Sequence, residues 1–143
     1  MPEFGHPATG LAPVVQRLLH YLAAIKGHGE VIQILLKAGA DVNTPHPRVQ
    51  ATPLQEAASS GHVDAARILL DAKANVNATD SSGRTPLMWA ATKGHAAVVQ
   101  LLLERGADAR QQTPTGWTAL KYAEQGNHTE VAEVLRKQAP AVP

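Results

Sequence analysis

Residues 85–108 read TPLMWAATKGHAAVVQLLLERGAD and contain two helix signals that are separated by a turn signal. Thr85 is a favourable N-cap residue, and Pro86 suits the first helical position, where the missing N–H costs no hydrogen bond. Gly94 permits a tight turn, and Gly106 suits the left-handed position that ends a helix. The stretch therefore predicts a short helix, a turn and a second helix. The apolar face of the second helix consists of Val98, Val99, Leu101, Leu102 and Leu103.

The same pattern recurs along the chain at an almost constant interval. A histidine stands at the start of each second helix, at positions 28, 62, 95 and 128, so the spacings are 34, 33 and 33 residues. Repeats of this length indicate helical pairs that must stack, because one pair cannot bury its apolar faces alone. A tetratricopeptide repeat has a similar period, but its Trp, Leu-Gly and Tyr pattern is missing. The sequence predicts an all-α solenoid of helix-turn-helix units joined by β-hairpin-like loops.

These segments resemble the ankyrin repeat over about residues 14–138. Two tripeptides match the start of the family's Thr-Pro-Leu-His tetrapeptide: Thr52-Pro53-Leu54 and Thr85-Pro86-Leu87. A third, Thr118-Ala119-Leu120, is a weaker copy. The family's hairpin sequence, Gly-Ala-Asp-Val-Asn, is present at residues 39–43 and in part at residues 106–108. The resemblance implies an ankyrin-repeat fold.

Departures from the family pattern lead to three structural expectations. Gln55, Met88 and Lys121 replace the tetrapeptide histidine, so its hydrogen bond is expected to be lost in every repeat. Lys73 replaces a helix-ending glycine, and a positive φ at this residue would cost about 1 kcal/mol. The first loop between repeats is one residue longer than the second and contains two prolines, so its hairpin is expected to be irregular.

The repeats predict a single domain at residues 13–139. Its units are expected at about 13–50, 51–83, 84–116 and 117–139. Residues 1–12 are predicted to be a disordered lead-in that derives partly from cloning, and residues 140–143 are predicted to be a tail. Pro13 is expected to begin the first helix. Because the ends of a solenoid need polar outer faces, both end units are expected to act as caps.

Composition and charge argue against several classes of function. The chain of 143 residues has a formal net charge of +1 and interspersed signs, so no basic field would attract nucleic acid or an anionic membrane. Cysteine is absent, which excludes disulfides, thiolate metal sites and a cysteine nucleophile. No apolar run is long enough to span a bilayer, and the first residues lack the regions of a signal peptide. We expect an intracellular, cytoplasmic monomer without nucleic-acid or membrane partners.

The residues that could suggest chemistry have structural interpretations. Residues 59–64, SSGHVD, contain all three residue types of a catalytic triad, but six consecutive residues across a turn cannot converge from separate elements. The periodic histidines cannot share one metal ion, because stacked helices lie roughly 8–10 Å apart and ligand bonds are about 2 Å long. Each histidine is instead expected to bond to nearby turn backbone. We predict that the chain is not an enzyme and holds no cofactor or metal.

The resemblance implies a protein-protein interaction module whose partners meet the concave face and the hairpin tips. Aromatic residues are only 3% of the chain, yet both tryptophans and one of two tyrosines occupy positions that the repeat framework leaves free. Trp, Tyr and Arg are the commonest hot-spot residues of protein interfaces. The predicted partner-binding residues are Arg84, Met88, Trp89, Thr92, Lys93, Trp117, Lys121, Tyr122, Gln55 and Arg48.

Other interpretations of these features stay open. Trp89 and Trp117 could instead cover the packing between repeats. The chain could be a regulatory or inhibitory domain of a larger enzyme or of a secreted bacterial effector, whereas its uneven repeats argue against an engineered scaffold. Asn43 and Asn77 match asparagines that are hydroxylated in some ankyrin domains, and the alternative role is to stabilise the hairpin.

Overall fold

The computed structural model describes residues 7–25 and 28–138 of the chain. The helices in this part of the chain are α1 (Pro7–Ala23), α2 (Gly29–Lys37), α3 (Pro53–Ser60), α4 (Val63–Asp71), α5 (Pro86–Lys93), α6 (Ala96–Glu104), α7 (Ala119–Gln125) and α8 (Thr129–Gln138). The connections that the structure describes are turns and loops without a β-strand. The predicted all-α class is therefore confirmed. We number the helical pairs as repeats 1 to 4.

The first helices of repeats 2 to 4 begin where the sequence predicts. Thr52, Thr85 and Thr118 have extended backbones and act as N-caps. In each case the threonine Oγ1 accepts a hydrogen bond from the backbone N–H three residues later, at 3.2 Å. Pro53 and Pro86 then occupy the first helical position, where a missing N–H leaves no bond unmade.

The pairs stack so that α1, α3, α5 and α7 form one layer and α2, α4, α6 and α8 form the other. Ala57, Ala58, Ala90 and Ala91 are fully buried in the first layer. Because alanine has no side-chain atom beyond Cβ, these helices can pack closely. Larger aliphatic residues fill the space between the layers. They include Leu54, Leu69, Leu87, Val98 and Leu102.

The repeated histidines join each repeat to the one before it. Their Nε2 atoms lie 2.9–3.1 Å from backbone carbonyl oxygens. The pairs are His62 with Ala24, His95 with Ser59, and His128 with Thr92. A carbonyl oxygen only accepts, so Nε2 has the proton and donates it. The expectation of a local bond to turn backbone is wrong, because the ring reaches the end of the preceding repeat's first helix.

Glycine makes room for these rings. Gly61 and Gly94 have φ values of 79° and 78°, which are left-handed. A Cβ atom on Gly61 would lie 2.6 Å from Nδ1 of His95, and one on Gly94 would clash in the same way with His128. The glycine is therefore required both by its backbone conformation and by the histidine of the next repeat.

Two expectations about the start of repeat 1 need correction. Helix α1 begins at Pro7 and not at Pro13, because a proline is tolerated in the first turn of a helix. The helix then continues through Pro13 without that residue's N–H bond. Residues 7–12 are thus helical and not a disordered lead-in. Residues 1–6 and the predicted tail at 140–143 lie outside the described residues.

The outer face of repeat 1 is not the predicted polar cap. Tyr21 and Ile34 are 63% and 62% exposed, and Val14, Leu18 and Val31 are also exposed. In the later repeats the positions that correspond to Val31 are buried, because the preceding repeat covers them. These positions are Ala65, Val98 and Val131. At the other end of the stack, the exposed residues of α8 are polar, as expected: Thr129, Glu130, Glu133, Arg136, Lys137 and Gln138.

The two unusual loops behave as the sequence predicts. Lys73 ends α4 with a φ of 76°, a left-handed conformation that costs a side chain about 1 kcal/mol. In the first loop Gln50, with a φ of 60°, occupies the turn position that Gly83 and Gly116 take in the later loops. The hydrogen bond that closes this loop joins His46 N to Ala51 O at 2.7 Å and spans five residues. The corresponding bonds of the later loops span four.

The hydrogen bond of the tetrapeptide's fourth residue was expected to be lost in every repeat, and this expectation is wrong at Gln55. Its side chain is 1% exposed, and its Nε2 donates to the carbonyl oxygens of Ala78 and Arg84, both at 2.8 Å. Its Oε1 accepts from Thr52 N at 2.8 Å. An amide has both a donor and an acceptor, so it can join the helix to the following loop as a histidine would. Met88 has no such donor, and the expectation holds there.

The histidine-glycine contact can be tested with two glycines of similar backbone conformation. Gly106→Ala introduces only left-handed strain, because no atom lies within 4 Å of its new Cβ, and we expect a loss of about 1–2 kcal/mol in the free energy of unfolding. Gly94→Ala adds a clash with His128, and a loss of roughly 3 kcal/mol or more is expected. Urea unfolding followed by circular dichroism measures both. Equal losses in the two variants would contradict the contact.

Candidate functional site

Four of the predicted binding residues come together between repeats 3 and 4. Cζ of Arg84 lies 4.5 Å from the ring centroid of Trp89 and 4.4 Å from that of Tyr122, so the guanidinium lies between the two rings. The rings of Tyr122 and Trp117 are 4.9 Å apart and tilted by 43°. We call Arg84, Trp89, Trp117 and Tyr122 the aromatic cluster.

Lys121 extends this arrangement at its exposed edge. Its Nζ lies 4.9 Å from the ring centroid of Trp117. Cations are attracted to the negative face of an aromatic ring, by about 0.5–1 kcal/mol at exposed sites. Arg84 makes two such contacts and Lys121 makes one. The contacts hold the rings in a defined arrangement at the surface.

Asp80 fixes one end of the aromatic cluster. Its Oδ2 accepts from Nε1 of Trp89 at 2.7 Å, and its Oδ1 accepts from the N and Oγ of Ser82 and from Arg84 N. Partial burial raises the pKa of Asp80. Four hydrogen bonds outweigh this effect of burial and hold the pKa below its ordinary value. They come from the side chains of Ser82 and Trp89 and from the backbone of Arg84 and Ser82. Asp80 is therefore a carboxylate at neutral pH, and it orients the indole.

Asp80 is absent from the residues that sequence reasoning selected, although a signal for it exists. Residues 80–83 read Asp-Ser-Ser-Gly, and an aspartate at the start of such a segment often bonds to the backbone two residues later. That pattern predicts the turn. It cannot predict the bond to Trp89, which depends on how the loop lies against α5.

A cavity of about 340 Å³ opens beside the aromatic cluster. It lies between the first helices of repeats 3 and 4 and the loop that precedes α7. Its lining includes a guanidinium, two aromatic rings, two threonine hydroxyls and one side-chain amide. The lining residues are Arg84, Thr92, Thr115, Trp117, Tyr122, Gln125 and Gly126. We call this cavity together with the aromatic cluster the repeat 3–4 groove.

Comparison with known proteins places the repeats in a family. A family model described as ankyrin repeats in three copies matches residues 14–80, and one described as ankyrin repeats in many copies matches residues 69–123. The chain belongs to the ankyrin-repeat family. Ankyrin repeats are generally protein-protein interaction modules and typically have no catalytic role. No curated protein is significantly similar to this chain.

The ankyrin stack excludes two of the predicted binding residues from a binding surface. Gln55 and Met88 are each 1% exposed, because this position of the first helix points into the space between repeats. Lys93 is exposed at the end of α5 and does not line the cavity. Arg48 is exposed on the first loop, also away from the cavity.

The remaining predicted residues belong to the groove or lie at its edge. Thr92, Trp117 and Tyr122 line the cavity with Arg84, Trp89 lies beneath Arg84, and Lys121 contacts Trp117. Three other lining residues are not among those predicted: Thr115, Gln125 and Gly126. They are common surface residue types and have no distinctive sequence signal.

The same position of the first helix is used differently in repeat 2. Glu56 corresponds to Trp89 and Tyr122, but its Oε2 lies 2.8 Å from Nδ1 of His20. His20 is 5% exposed, and its Nε2 donates to Thr44 O at 2.8 Å. The buried imidazole thus lies at hydrogen-bond distance from the Glu56 carboxyl group, and this contact joins α1 to α3. Glu56 is engaged inside the stack, so the aromatic cluster has no counterpart in repeat 2.

The hairpin asparagines connect successive loops. Oδ1 of Asn43 accepts from Asn75 N at 2.7 Å, and Oδ1 of Asn77 accepts from Asp108 N at 2.9 Å. Each asparagine therefore satisfies a backbone donor of the next repeat. This geometry supports the stabilising role that sequence analysis considers for both residues.

Within residues 7–25 and 28–138, no three His, Cys, Asp or Glu side chains come together in a way that could hold a metal ion. None of the helices described there is long and apolar enough to cross a membrane.

Asp80→Asn tests whether the Asp80 carboxylate anchors the repeat 3–4 groove. At pH 7 a loss of roughly 1–3 kcal/mol in the free energy of unfolding is expected, because the amide nitrogen cannot accept the Trp89 proton. The folded-state pKa of Asp80 is depressed, so its contribution is complete above about pH 4 and is lost as pH falls through the folded-state pKa. The difference between wild type and variant should therefore shrink on acidification, as measured by urea unfolding.

A matched control for this experiment is Asp71→Asn. Asp71 pairs with Arg105 at 2.9 Å on the surface, and its side chain is 63% exposed. Surface pairs contribute little to stability, so this variant should differ little from wild type at any pH. A loss for Asp80→Asn that stays constant down to about pH 3 would contradict the role of the ionised Asp80.

Proposed function

We propose that this ankyrin-repeat domain binds a segment of another protein in the repeat 3–4 groove. The observation that supports the proposal best is the aromatic cluster itself. Trp117 and Tyr122 are partly exposed, line a cavity that opens to solvent and pack against each other, and Arg84 lies over the Tyr122 ring. Rigid aromatic rings lose little conformational entropy on binding, which is why they dominate many interface hot spots.

The two tryptophans have different parts in this proposal. Trp89 donates to Asp80 and lies beneath Arg84, so it is the support of the groove. Trp117 lines the cavity, and its indole makes no hydrogen bond to any residue that the structure describes. A partner could therefore use both the face and the N–H of the Trp117 ring. We propose Trp117 as the main contact and Tyr122 as its neighbour.

The proposed surface is confined to one half of the stack. In repeat 2 the corresponding residues are Ala51 and Glu56, of which the second is bonded to His20. Repeat 1 has an exposed apolar end face instead, at the opposite end of the molecule. The groove is therefore the place where aromatic area, open space and unpaired polar groups coincide. We propose binding alone, without a catalytic step, by a monomeric cytoplasmic protein.

Trp117→Ala tests the proposed contact. Peptides selected from a random displayed library on the wild-type domain are measured against the variant by fluorescence anisotropy. We expect affinity to fall about 30-fold or more, which corresponds to the roughly 2 kcal/mol of an interface hot spot. The melting temperature, followed by circular dichroism, reports whether the variant is folded.

Tyr21→Ala is the matched control, because Tyr21 is an exposed aromatic residue on repeat 1, away from the groove. It should bind the selected peptides as the wild type does. If Trp117→Ala is folded and still binds every selected peptide with wild-type affinity, the groove is not the binding site.

A further inference from the structure

Arg84 has an environment that defines the chemistry of a ligand. Its Cζ lies over the rings of Trp89 and Tyr122, and Arg84 also lines the cavity. The edge of the guanidinium bears its N–H donors. No side chain or backbone oxygen within the described ranges accepts a hydrogen bond from this guanidinium or forms an ion pair with it. Its backbone carbonyl, in contrast, is bonded to Gln55.

We propose that Arg84 binds the carboxylate of an aspartate or glutamate side chain in the partner segment. The inference rests on the proposed function and specifies the chemistry of the occupant. A guanidinium presents parallel N–H donors that match the two oxygens of a carboxylate. Because the two rings already hold the guanidinium, little side-chain entropy is lost when the second bond forms.

The rest of the cavity favours the same ligand. Gln125 lines it and has an amide that can donate to an anion. Thr92 also lines it, but its Oγ1 donates to Met88 O at 2.8 Å, so its proton is engaged. A carboxylate in this cavity would thus meet donors from Arg84 and Gln125. The walls formed by Trp117 and Tyr122 would contact apolar atoms next to the carboxylate.

The balance of charge around the groove is positive. Lys121 and Lys93 are exposed on the two first helices that flank it. Two carboxylates lie nearby: Glu124 on α7 pairs with Arg136 at 2.8 Å, and the oxygens of Asp80 already accept four hydrogen bonds, from Trp89, Ser82 and the Arg84 backbone. Asp80 fixes the groove and leaves the guanidinium edge free. An acidic segment is therefore attracted to this surface, and a basic one is repelled.

A single guanidinium suits a carboxylate better than a phosphate. A phosphoryl group has nearly two negative charges and three acceptor oxygens, and domains that recognise it use clusters of arginines. Arg84 is the one arginine that lines this cavity, and the amine of Lys121 lies over Trp117. A phosphopeptide is thus the competing ligand that the experiment must distinguish.

The experiment uses peptides selected from a random displayed library on the full chain. Selected peptides should share an Asp or Glu at one position, next to an apolar residue. Changing that residue to Asn or Gln in the peptide should weaken binding to the wild-type domain by about 10- to 100-fold. Arg84→Gln should weaken binding of the acidic peptide to a similar extent. The two changes together should cost no more than either one alone, because they remove the same interaction.

Controls separate this inference from the fold and from the proposed function. Arg67→Gln removes an exposed arginine on α4, in the other layer, and should leave affinity unchanged. The peptide-side substitution needs no change in the protein, so it stays informative even if Arg84→Gln perturbs the cluster. Arg84→Lys keeps the charge without the paired donors and should recover only part of the affinity.

Each other outcome overturns a distinct claim. Peptides that require Trp117 but tolerate loss of their acidic residue would refute the carboxylate assignment and leave the proposed groove intact. Binding only after phosphoserine replaces the acidic residue would refute it in favour of a phosphate. If no selected peptide depends on Trp117, the proposed function fails, and the assignment of Arg84 fails with it.

Discussion

The hydrogen bond from a histidine to the first helix of the preceding repeat is the interaction on which the stack depends. His62, His95 and His128 each donate to a carbonyl oxygen that a helix end would otherwise leave unpaired. The same ring packs on a left-handed glycine, Gly61 or Gly94, in the last two of these contacts. A helical pair is thereby fixed in height and rotation relative to its neighbour. This is why small alanine-rich helices with almost no aromatic core residues form a regular solenoid.

The regular spacing has a direct consequence for the groove. Because consecutive first helices are held side by side, residues 33 positions apart in the sequence become neighbours. Arg84 can therefore lie between Trp89, in its own repeat, and Tyr122, in the next. The groove is a property of the stack and not of either repeat alone. A change in the rotation between repeats 3 and 4 would separate these contacts without altering either helix.

What could be predicted from sequence follows the range of each interaction. The Thr85 cap and the left-handed Lys73 are local, so residue type and position were sufficient to predict them. The partners of His95 and Asn43 lie more than 30 residues away, and no local pattern indicates them. The aromatic cluster was predicted because the repeat period aligns its residues in columns. Burial of Met88 was missed because a column does not show which way its side chains point.

Gln55 and Glu56 show how one framework supports both stability and recognition. In repeat 2 they bond to Arg84 O and to His20, so both side chains are engaged within the stack. In repeat 3 the corresponding residues are Met88, buried without a polar partner, and Trp89, directed to the surface cluster. Repeat 3 thus has fewer hydrogen bonds within the stack at these two positions. Asp80, in the preceding loop, provides one hydrogen bond to Trp89 instead. The aromatic cluster therefore forms in the repeat where this helix position makes no bond inside the stack. Its residue, Trp89, is held instead by Asp80 of the neighbouring loop.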